Sequence, residues 1–331
     1  MNRKPKILVV GSFVMDVIAT THVVPGRGEA VYGTAFQTAC GGKGVNQAVQ
    51  CARLGAEVTI IGCVGNDGFG TELKREVAAQ GVDISHVRTV EGVTTGVGHI
   101  TLEVKNGVAQ NRIVVIPGAN LAVEHDDVAW LETGIAQFDA VLLQLEIPAE
   151  VNLSVARWAH KAGVAVLLNP APATPLDDAL LPYVTYLIPN EQEAAQESGR
   201  PLRVDDTGVN RSDLKAIVKV FQARGAANVI VTLGEYGALL ATQDGVYQGV
   251  ESVRMDAVAD PTGAGDSFVA AFCIALSMGM SQALALSFAV HTAAITVTSM
   301  GAMPSLPMLD QVVHLMEERK ADPLLVEAIT A

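Results

Sequence analysis

The sequence predicts an α/β protein with a doubly wound, mostly parallel β-sheet flanked by helices, and a small β-sheet lid. Short runs of consecutive apolar residues alternate with stretches of helical periodicity along most of the 331 residues. Such runs are typical of strands that are buried on both faces of a parallel sheet. Two other regions alternate apolar and polar residues without a long helix between them, which favours a two-sided antiparallel layer.

The apolar runs that we predict as strands of the main sheet are KILVVGS, EVTIIGCVG, AVLLQLE, VAVLLNPAP, TYLIPN and NVIVTLG. The predicted helices are Asn46–Leu54, Gly70–Gln80, Glu150–Lys161, Ser212–Arg224 and Gly265–Met278. The alternating regions lie at about 16–39 and 96–115. We expect residues 1–331 to form a single α/β domain, with these two segments as a β layer over one end of the main sheet.

The composition excludes some partners. The formal net charge is −13, and an acidic chain lacks the basic footprint of a protein that binds nucleic acid or anionic membranes. Phosphorylated ligands stay possible, because they need only local donors. The four cysteines show no CxxC or metal spacing, which indicates reduced thiols and a cytoplasmic protein.

No segment predicts a signal peptide or a membrane span. The first apolar run reaches Gly11 and Ser12 too soon for the apolar region of a signal peptide. The apolar stretch Ala283–Val297 is interrupted by Ser287 and His291, so we interpret it as a buried helix.

The most informative motif is DPTGAGDS at residues 260–267. Small residues open a predicted helix, and the free N–H groups of a helix start form an anion site that glycines let a ligand approach. A carboxylate beside that site, Asp266, would repel an anion, but it suits a base that takes a proton from a nucleophile attacking phosphorus. The alternative is a glycine-rich loop whose aspartate is stabilised by the helix dipole.

A second glycine-rich helix start is GGKGVNQA at residues 41–48. It is not a P-loop, because Lys43 is followed by Gly44 rather than by Ser or Thr. By itself it could be a tight turn before a helix. Two such polar helix starts, far apart in one α/β sequence, suggest two halves of one anionic site.

With these motifs in place, the chain resembles the ribokinase-like family of ATP-dependent sugar kinases from Lys6 to about Pro307, and within it the ribokinase and deoxyribokinase branches most closely. GSFVMD, GGKGVNQA, LQLE, NPAPA, PNEQE, TLGEYG and DPTGAGDS follow one another in the family's order. The resemblance implies an enzyme that phosphorylates the primary hydroxyl of a pentose, ribose or 2-deoxyribose.

The resemblance also implies the residues of the reaction and of sugar binding. Asp266 would deprotonate the sugar hydroxyl, and the N–H groups of Gly263, Ala264 and Gly265 would hold the transferring phosphoryl charge. Carboxylates and amides suit sugar hydroxyls because each makes more than one hydrogen bond. The sugar-binding positions implied are Asp16, Gly42, Lys43, Asn46 and Glu146.

Nucleotide and cation sites are implied in the same way. Asn190, Thr232, Gly234 and Gly237 match the nucleotide segments, and Asn190 and Glu193 match the PNxxE segment that orders water and Mg²⁺. A loop of oxygen ligands suits a hard monovalent cation such as K⁺. The positions that match this loop are Asp260, Thr262, Thr296, Ser299, Gly301 and Ser305.

One departure bears on the choice of sugar. Val14 stands where the family's ribokinases usually carry an asparagine that bonds the sugar. An apolar side chain there favours a sugar that lacks one hydroxyl, such as 2-deoxyribose. The other interpretation is that Val14 only packs against its neighbours.

Three other functions are alternatives to a pentose kinase. A kinase for a hexose, a nucleoside or a phosphorylated sugar stays open, although the lid offers only Arg27, Lys105 and Arg112 for a second phosphate. A nicotinamide-dependent oxidoreductase lacks its G-x-G-x-x-G fingerprint after the first strand. A catalytically silent sugar-binding protein conflicts with the intact Asp266. Since an exposed sheet layer invites pairing, and relatives are often dimers through it, we expect a homodimer through the β lid.

Overall fold

The computed structural model describes residues 3–105, 108–205 and 208–330. The strands are β1 (Lys6–Val10), β2 (Val14–Thr21), β3 (Ala35–Gly41), β4 (Glu57–Gly65), β5 (Val82–Val90), β6 (Gly96–Lys105), β7 (Val108–Ile116), β8 (Ala140–Leu143), β9 (Ala165–Leu168), β10 (Tyr186–Leu187), β11 (Val204–Asp205), β12 (Gly208–Val209), β13 (Asn228–Thr232), β14 (Ala238–Ala241) and β15 (Tyr247–Val250).

The helices are α1 (Lys43–Arg53), α2 (Gly68–Ala79), α3 (His125–Val128), α4 (Leu131–Gly134), α5 (Ala149–Ala162), α6 (Glu191–Ser198), α7 (Arg211–Ala223), α8 (Ala264–Ser277), α9 (Gln282–Thr296), α10 (Ala302–Ser305), α11 (Leu309–Glu318) and α12 (Pro323–Thr330). Short 3₁₀ turns lie at Gly118–Ala122, Ile135–Gln137, Leu181–Tyr183 and Gly234–Tyr236.

The central sheet confirms the predicted fold class. Its strand order is β15-β14-β13-β10-β9-β8-β1-β4-β5. Neighbours from β13 to β5 pair in parallel, whereas β14 is antiparallel to both of its neighbours. Each of the six predicted strands lies in this parallel part. The strands of the central sheet that sequence patterning did not predict are β5, β14 and β15, and they form the two edges of that sheet.

Alternate residues of each strand pack against different helix layers, which explains the unbroken apolar runs. In β1, Ile7 and Val9 belong to the core shared with α1, α8 and α9, whereas Leu8 and Val10 belong to the core shared with α5 and α7. All four side chains are fully buried. A strand that is covered on both faces needs apolar residues at every position.

The helices that carry the two glycine-rich motifs begin earlier than predicted. Helix α1 begins at Lys43 after the N-cap Gly42, and α8 begins at Ala264 after the N-cap Gly263. The two caps have φ angles of 96° and 85°, values that glycine adopts without steric cost. The glycines therefore end the loop and leave the following N–H groups at the helix start.

A separate four-stranded sheet has the order β3-β2-β6-β7, and its strands fall within or next to the predicted lid segments. Strands β2 and β6 are parallel and the outer pairs are antiparallel. Several apolar side chains of this sheet are exposed, including Phe36 at 69% and Val114 at 62%.

Helix α9 covers residues 283–296 of the apolar stretch that we predict as a buried helix, and it packs in the core. Among the described residues, no helix has the length and apolar character needed to cross a membrane. The four cysteines are free and buried.

Candidate active site

Polar residues gather where neighbouring strands of the central sheet end. Gly11, Glu146, Asn169, Asn190 and Thr232 lie just after the carboxyl ends of β1, β8, β9 and β10 or at the end of β13, which are consecutive in the sheet. Ligands of open α/β sheets bind in the crevice outside the carboxyl ends of the strands. The two glycine-rich helices begin at this same edge.

The start of α1 is held by Glu146 and Ser12. The Lys43 N–H donates to Glu146 Oε2 at 2.9 Å, and the Gly44 N–H donates to Ser12 Oγ at 3.3 Å. The Ser12 hydroxyl also donates to the Glu146 carboxylate. A carboxylate at a helix N-terminus is stabilised by the free N–H groups and by the helix dipole, so Glu146 has a structural role here beside any role in binding.

The two motifs meet at Asp266. Its Oδ2 accepts a hydrogen bond of 2.8 Å from Asn46 Nδ2, and its Oδ1 accepts one of 3.0 Å from Gln47 Nε2. Asp266 is only 6% exposed. A buried carboxylate is costly unless it is hydrogen-bonded, and the two amides of α1 supply those bonds.

The start of α8 leaves N–H groups beside Asp266. The Ala264 N–H donates to the Pro261 carbonyl at 3.2 Å and the Ser267 N–H to the Gly263 carbonyl at 2.9 Å. Of the three amides that the resemblance implies for phosphoryl binding, Ala264 is therefore already engaged. The amides of Gly263 and Gly265 are better placed to receive an anion.

The side chains near Asp266 include groups that suit a polyhydroxylated ligand. Asn46 Oδ1 is buried and has no hydrogen-bond partner in the described part of the chain. Burial alone would lower the pKa of the Lys43 ammonium, but the charges of Asp266, Glu146 and Glu193 outweigh it and raise that pKa above its ordinary value. Lys43 thus stays a cation and a donor among three carboxylates.

Asp16 comes to the site from the lid strand β2. Burial, with the negative charges of Glu146 and Asp260 acting in the same direction, raises its pKa from 3.8 to about 6. A Cβ on Gly98 would lie 2.2 Å from Asp16 Oδ1 and 3.7 Å from Val14 Cγ1. Val14 and Asp16 therefore share one face of β2 beside Gly98, and Val14 is buried there.

The PNEQE segment forms a helix cap. The Glu193 N–H donates to Asn190 Oδ1 at 2.8 Å, and the Asn190 N–H donates to Glu193 Oε2 at 2.9 Å. This reciprocal pair is a capping box. Burial raises the pKa of Glu193 in spite of the Asn190 N–H and the Lys43 charge, which lower it.

Thr232 and the glycines after it lie next to this cap. Asn190 and Thr232 form a parallel bridge, and the Thr232 N–H donates to the Pro189 carbonyl at 3.0 Å. Gly234 and Gly237 begin and follow the 3₁₀ turn after β13. The positions implied for the nucleotide are therefore adjacent.

Asp260 joins two loops behind the start of α8. Its Oδ1 accepts from the Thr262 N–H at 2.9 Å and from the Thr262 hydroxyl at 2.6 Å, while its Oδ2 accepts from the Gly301 N–H at 2.9 Å. The Thr296 hydroxyl donates to Ser267 Oγ at 2.8 Å, so its side chain is engaged in the core. Ser299 and Ser305 lie in or just after the loop that joins α9 to α10.

Sequence patterning did not assign three polar side chains of this region. Ser12 contacts Glu146, Gln47 contacts Asp266, and Gln144 Nε2 donates to Gln47 Oε1 at 2.6 Å. A signal existed for two of them, because a glutamine within an apolar strand run and one beside Asn46 on a buried helix are unusual. Their partners could not be named, because the partners lie far away in the sequence.

Two surface cavities lie elsewhere and include no residue of the two motifs. One, of about 590 Å³, is lined by Asn228, Thr242 and Asp244, and the other, of about 400 Å³, by Glu57, Asp83 and Trp130. Both are at the amino ends of parallel strands, opposite to the edge where the polar residues gather.

The sequence is similar to those of known proteins over most of its length. The chain is 38% identical over 315 residues to the ribokinase of Schizosaccharomyces pombe, covering 92% of this chain and 96% of that protein. It is 33% identical over 306 residues to the deoxyribokinase of Salmonella typhi, covering 92% and 96% of the two chains.

A solved structure agrees with the sequence comparisons. The Arabidopsis thaliana ribokinase complexed with ribose and ATP superposes with a TM-score of 0.86 at 32% identity, covering 95% of this chain and 99% of that one. The sequence also matches the pfkB family carbohydrate kinases over residues 4–309. Together with the meeting of the two glycine-rich motifs at Asp266, this shows that the chain belongs to the pfkB family of carbohydrate kinases.

Proposed function

We propose that this kinase transfers the γ-phosphoryl group of ATP to the primary, 5-hydroxyl group of a pentose, ribose or 2-deoxyribose. The observation that carries the proposal is the buried Asp266 carboxylate, which lies at the start of α8 and is bonded by Asn46 and Gln47. That arrangement puts a base beside an anion site. The ribokinases and deoxyribokinase among the relatives support the choice of pentose.

In the proposed reaction, Asp266 accepts the proton of the sugar's 5-hydroxyl as its oxygen attacks the γ-phosphorus. The bond from that phosphorus to the bridging oxygen of ADP breaks, and ADP leaves with the electron pair. The N–H groups of Gly263 and Gly265 stabilise the charge on the transferring group. A positioned base contributes about 10²- to 10⁴-fold to such a step.

The sugar would bind between the lid and α1. Asp16 and Glu146 accept hydrogen bonds from its hydroxyls, Lys43 donates a hydrogen bond to it, and Gly42 lets the sugar approach the backbone. The unpartnered Asn46 Oδ1 is an acceptor for one more hydroxyl. The nucleotide would lie over Asn190, Thr232, Gly234 and Gly237 at the neighbouring strand ends.

Two cations belong to the proposal, and the residues present fit them. Mg²⁺ would neutralise the charge of the ATP phosphates, with Glu193 as the nearby buried carboxylate. A monovalent cation, K⁺, would order the loop of Asp260, which has used three of its about four acceptor positions on Thr262 and Gly301. The other ligands proposed are oxygens of Thr262, Thr296, Ser299, Gly301 and Ser305.

The lid would close over the sugar and exclude water, which limits hydrolysis of ATP. Its exposed apolar residues, with Val115 at 58% exposure, support a homodimer that pairs through this sheet. The four free cysteines support the prediction of a cytoplasmic protein.

One panel of substrates tests the proposed function. ADP release is measured with Mg²⁺ and K⁺ over pentoses, hexoses and nucleosides. We expect turnover to be highest with ribose or 2-deoxyribose. Turnover confined to a hexose or a nucleoside would show that a pentose is not the substrate. Binding of sugars without turnover would show that the protein is a catalytically silent sugar-binding protein.

The first prediction concerns the base. Asp266→Asn should lower kcat by about 10²- to 10⁴-fold, because an amide of the same shape cannot accept the proton. Affinities for sugar and ATP, measured by calorimetry, should change little. A variant that keeps more than about a tenth of the kcat of the wild type would show that Asp266 is not the base.

The second prediction concerns the cation loop. Replacing Na⁺ or Tris by K⁺ should raise the turnover rate, because a cation bound beside Asp260 fixes the loop that presents Gly263 and Gly265. Asp260→Ala should abolish that response, whereas Asp256→Ala, at an exposed position, should keep it. Equal rates in all three buffers, with a harmless Asp260→Ala, would remove the cation from the proposal.

The third prediction concerns the 2-hydroxyl group of the sugar. A buried valine leaves a hydroxyl unpaired, which costs about 1–3 kcal/mol, or about five- to a hundredfold in specificity. Val14→Asn should therefore shift kcat/KM toward ribose relative to 2-deoxyribose, while the apolar control Val14→Ala should not. A wild-type preference for ribose above about tenfold that Val14→Asn leaves unchanged would contradict this role.

The fourth prediction concerns the pH dependence of stability. The pKa of Asp16 is raised from 3.8 to about 6, so the folded state binds its proton more tightly than the unfolded state, and the stability from this group is lost as pH rises from about 4 through 6. Relative to wild type, Asp16→Asn should stabilise the unliganded protein by about 1–3 kcal/mol at pH 7.5 and by about a third as much at pH 4.5.

Chemical unfolding at both pH values measures this difference, with the exposed Asp256→Asn as the control. The same Asp16→Asn variant should bind ribose more weakly, because the ionised carboxylate is the proposed hydroxyl acceptor. An Asp16→Asn variant that is no more stable than the wild type at pH 7.5 would contradict the assignment.

A further inference from the structure

Behind Asp266 lies a line of buried carboxamides that the proposed reaction does not use. Gln47 Nε2 donates to Asp266 Oδ1 at 3.0 Å, and Gln47 Oε1 accepts from Gln144 Nε2 at 2.6 Å. The backbone carbonyl of Gln144 in turn accepts from Asn152 Nδ2 at 2.6 Å. Gln47, Gln144 and Asn152 are all fully buried. The line thus connects the proposed base to the end of β8 and to α5.

The charge of Asp266 sets the direction of the two side-chain bonds that follow it in this line. An ionised carboxylate only accepts, so Gln47 must turn its NH₂ group toward Asp266 and its oxygen toward Gln144. Gln144 must then present its NH₂ group to Gln47. Gln47 therefore has one orientation that satisfies both of its neighbours, and rotation of either glutamine amide would oppose two donors or two acceptors.

This line is kept at a cost in stability. Gln144 Oε1 and Asn152 Oδ1 are buried and have no hydrogen-bond partner in the described part of the chain. An apolar residue at position 144 would avoid leaving a buried oxygen unpaired, so the carboxamide points to a task other than packing.

We propose that Gln47 and Gln144 are positioning residues for Asp266. Gln47 fixes Oδ1 from the protein side, and Gln144 fixes Gln47. Oδ2, which the sugar-side residue Asn46 contacts, is then the oxygen that takes the proton of the substrate hydroxyl. This inference rests on the proposed function, because it assigns these glutamines to the same proton transfer.

Methionine variants test it, because methionine keeps the shape of glutamine and removes the donor. Gln47→Met should lower kcat by about 10- to 100-fold with both KM values within about threefold, since a misplacement of about 1 Å can cost about a hundredfold. Gln144→Met should lower kcat less. The double variant should match Gln47→Met alone, because residues that act through one another are not additive.

Gln50→Met is the matched control. Gln50 is also fully buried on α1, but its Nε2 donates to the Pro307 carbonyl at 3.0 Å rather than to Asp266. We expect this variant to lose stability and to keep its kcat within about twofold, as expected where no transition-state contact is removed. Equal losses of kcat in Gln50→Met and Gln47→Met, or additive losses in the double variant, would overturn the proposal.

Crystal structures of Gln47→Met and Gln144→Met give a readout that does not need turnover. We expect the Asp266 carboxylate to rotate or to adopt a second rotamer in both variants, and an unchanged single rotamer in both would overturn the positioning role. Failure of the proposed function is a different result: the wild type would phosphorylate no sugar, whatever the orientation of Asp266 in the variants.

Discussion

The arrangement of the site depends on the hydrogen bonds that join the Asp266 carboxylate to Asn46 and Gln47. These bonds join the start of α8 to the start of α1. Asn46 and Asp266 are 220 residues apart in the chain. Burial of a carboxylate that is only 6% exposed would destabilise the folded state without such hydrogen-bond donors. The same hydrogen bonds therefore hold α1 against α8 and place the base beside the N-termini of both helices.

The central sheet holds the strand ends of this arrangement in place, whereas the lid sheet contributes a partly buried carboxylate that lowers the stability of the free protein. Both faces of β1 are covered, so the loops after the strand ends start from fixed points. Asp16, in contrast, reaches the site from the lid. Its burial, together with the negative charges of Glu146 and Asp260, raises its pKa to about 6. Burying like charges lowers the stability of the free protein, and a ligand with several hydroxyl groups would relieve it.

The sequence predicted the parallel strands and both motif helices, because consecutive apolar residues and glycine-rich helix starts are local signals. It missed β5, whose alternating burial reflects an edge position, and β14 and β15 at the other edge. It could not reveal that Glu193 and Asn190 cap one another. Nor could it pair Gln144 with Gln47, because that contact depends on the packing of β8 against α1.

The most direct measurement of the central claim is the position of the phosphate in the product. Ribose and 2-deoxyribose are incubated with ATP, Mg²⁺ and K⁺, and the product is analysed by ³¹P and ¹³C NMR. A base at Asp266 that faces the primary hydroxyl predicts phosphorus coupled to C5 and to the two protons on it, with one ADP formed for each phosphosugar. A phosphate on C1, or inorganic phosphate released without a phosphosugar, would contradict it.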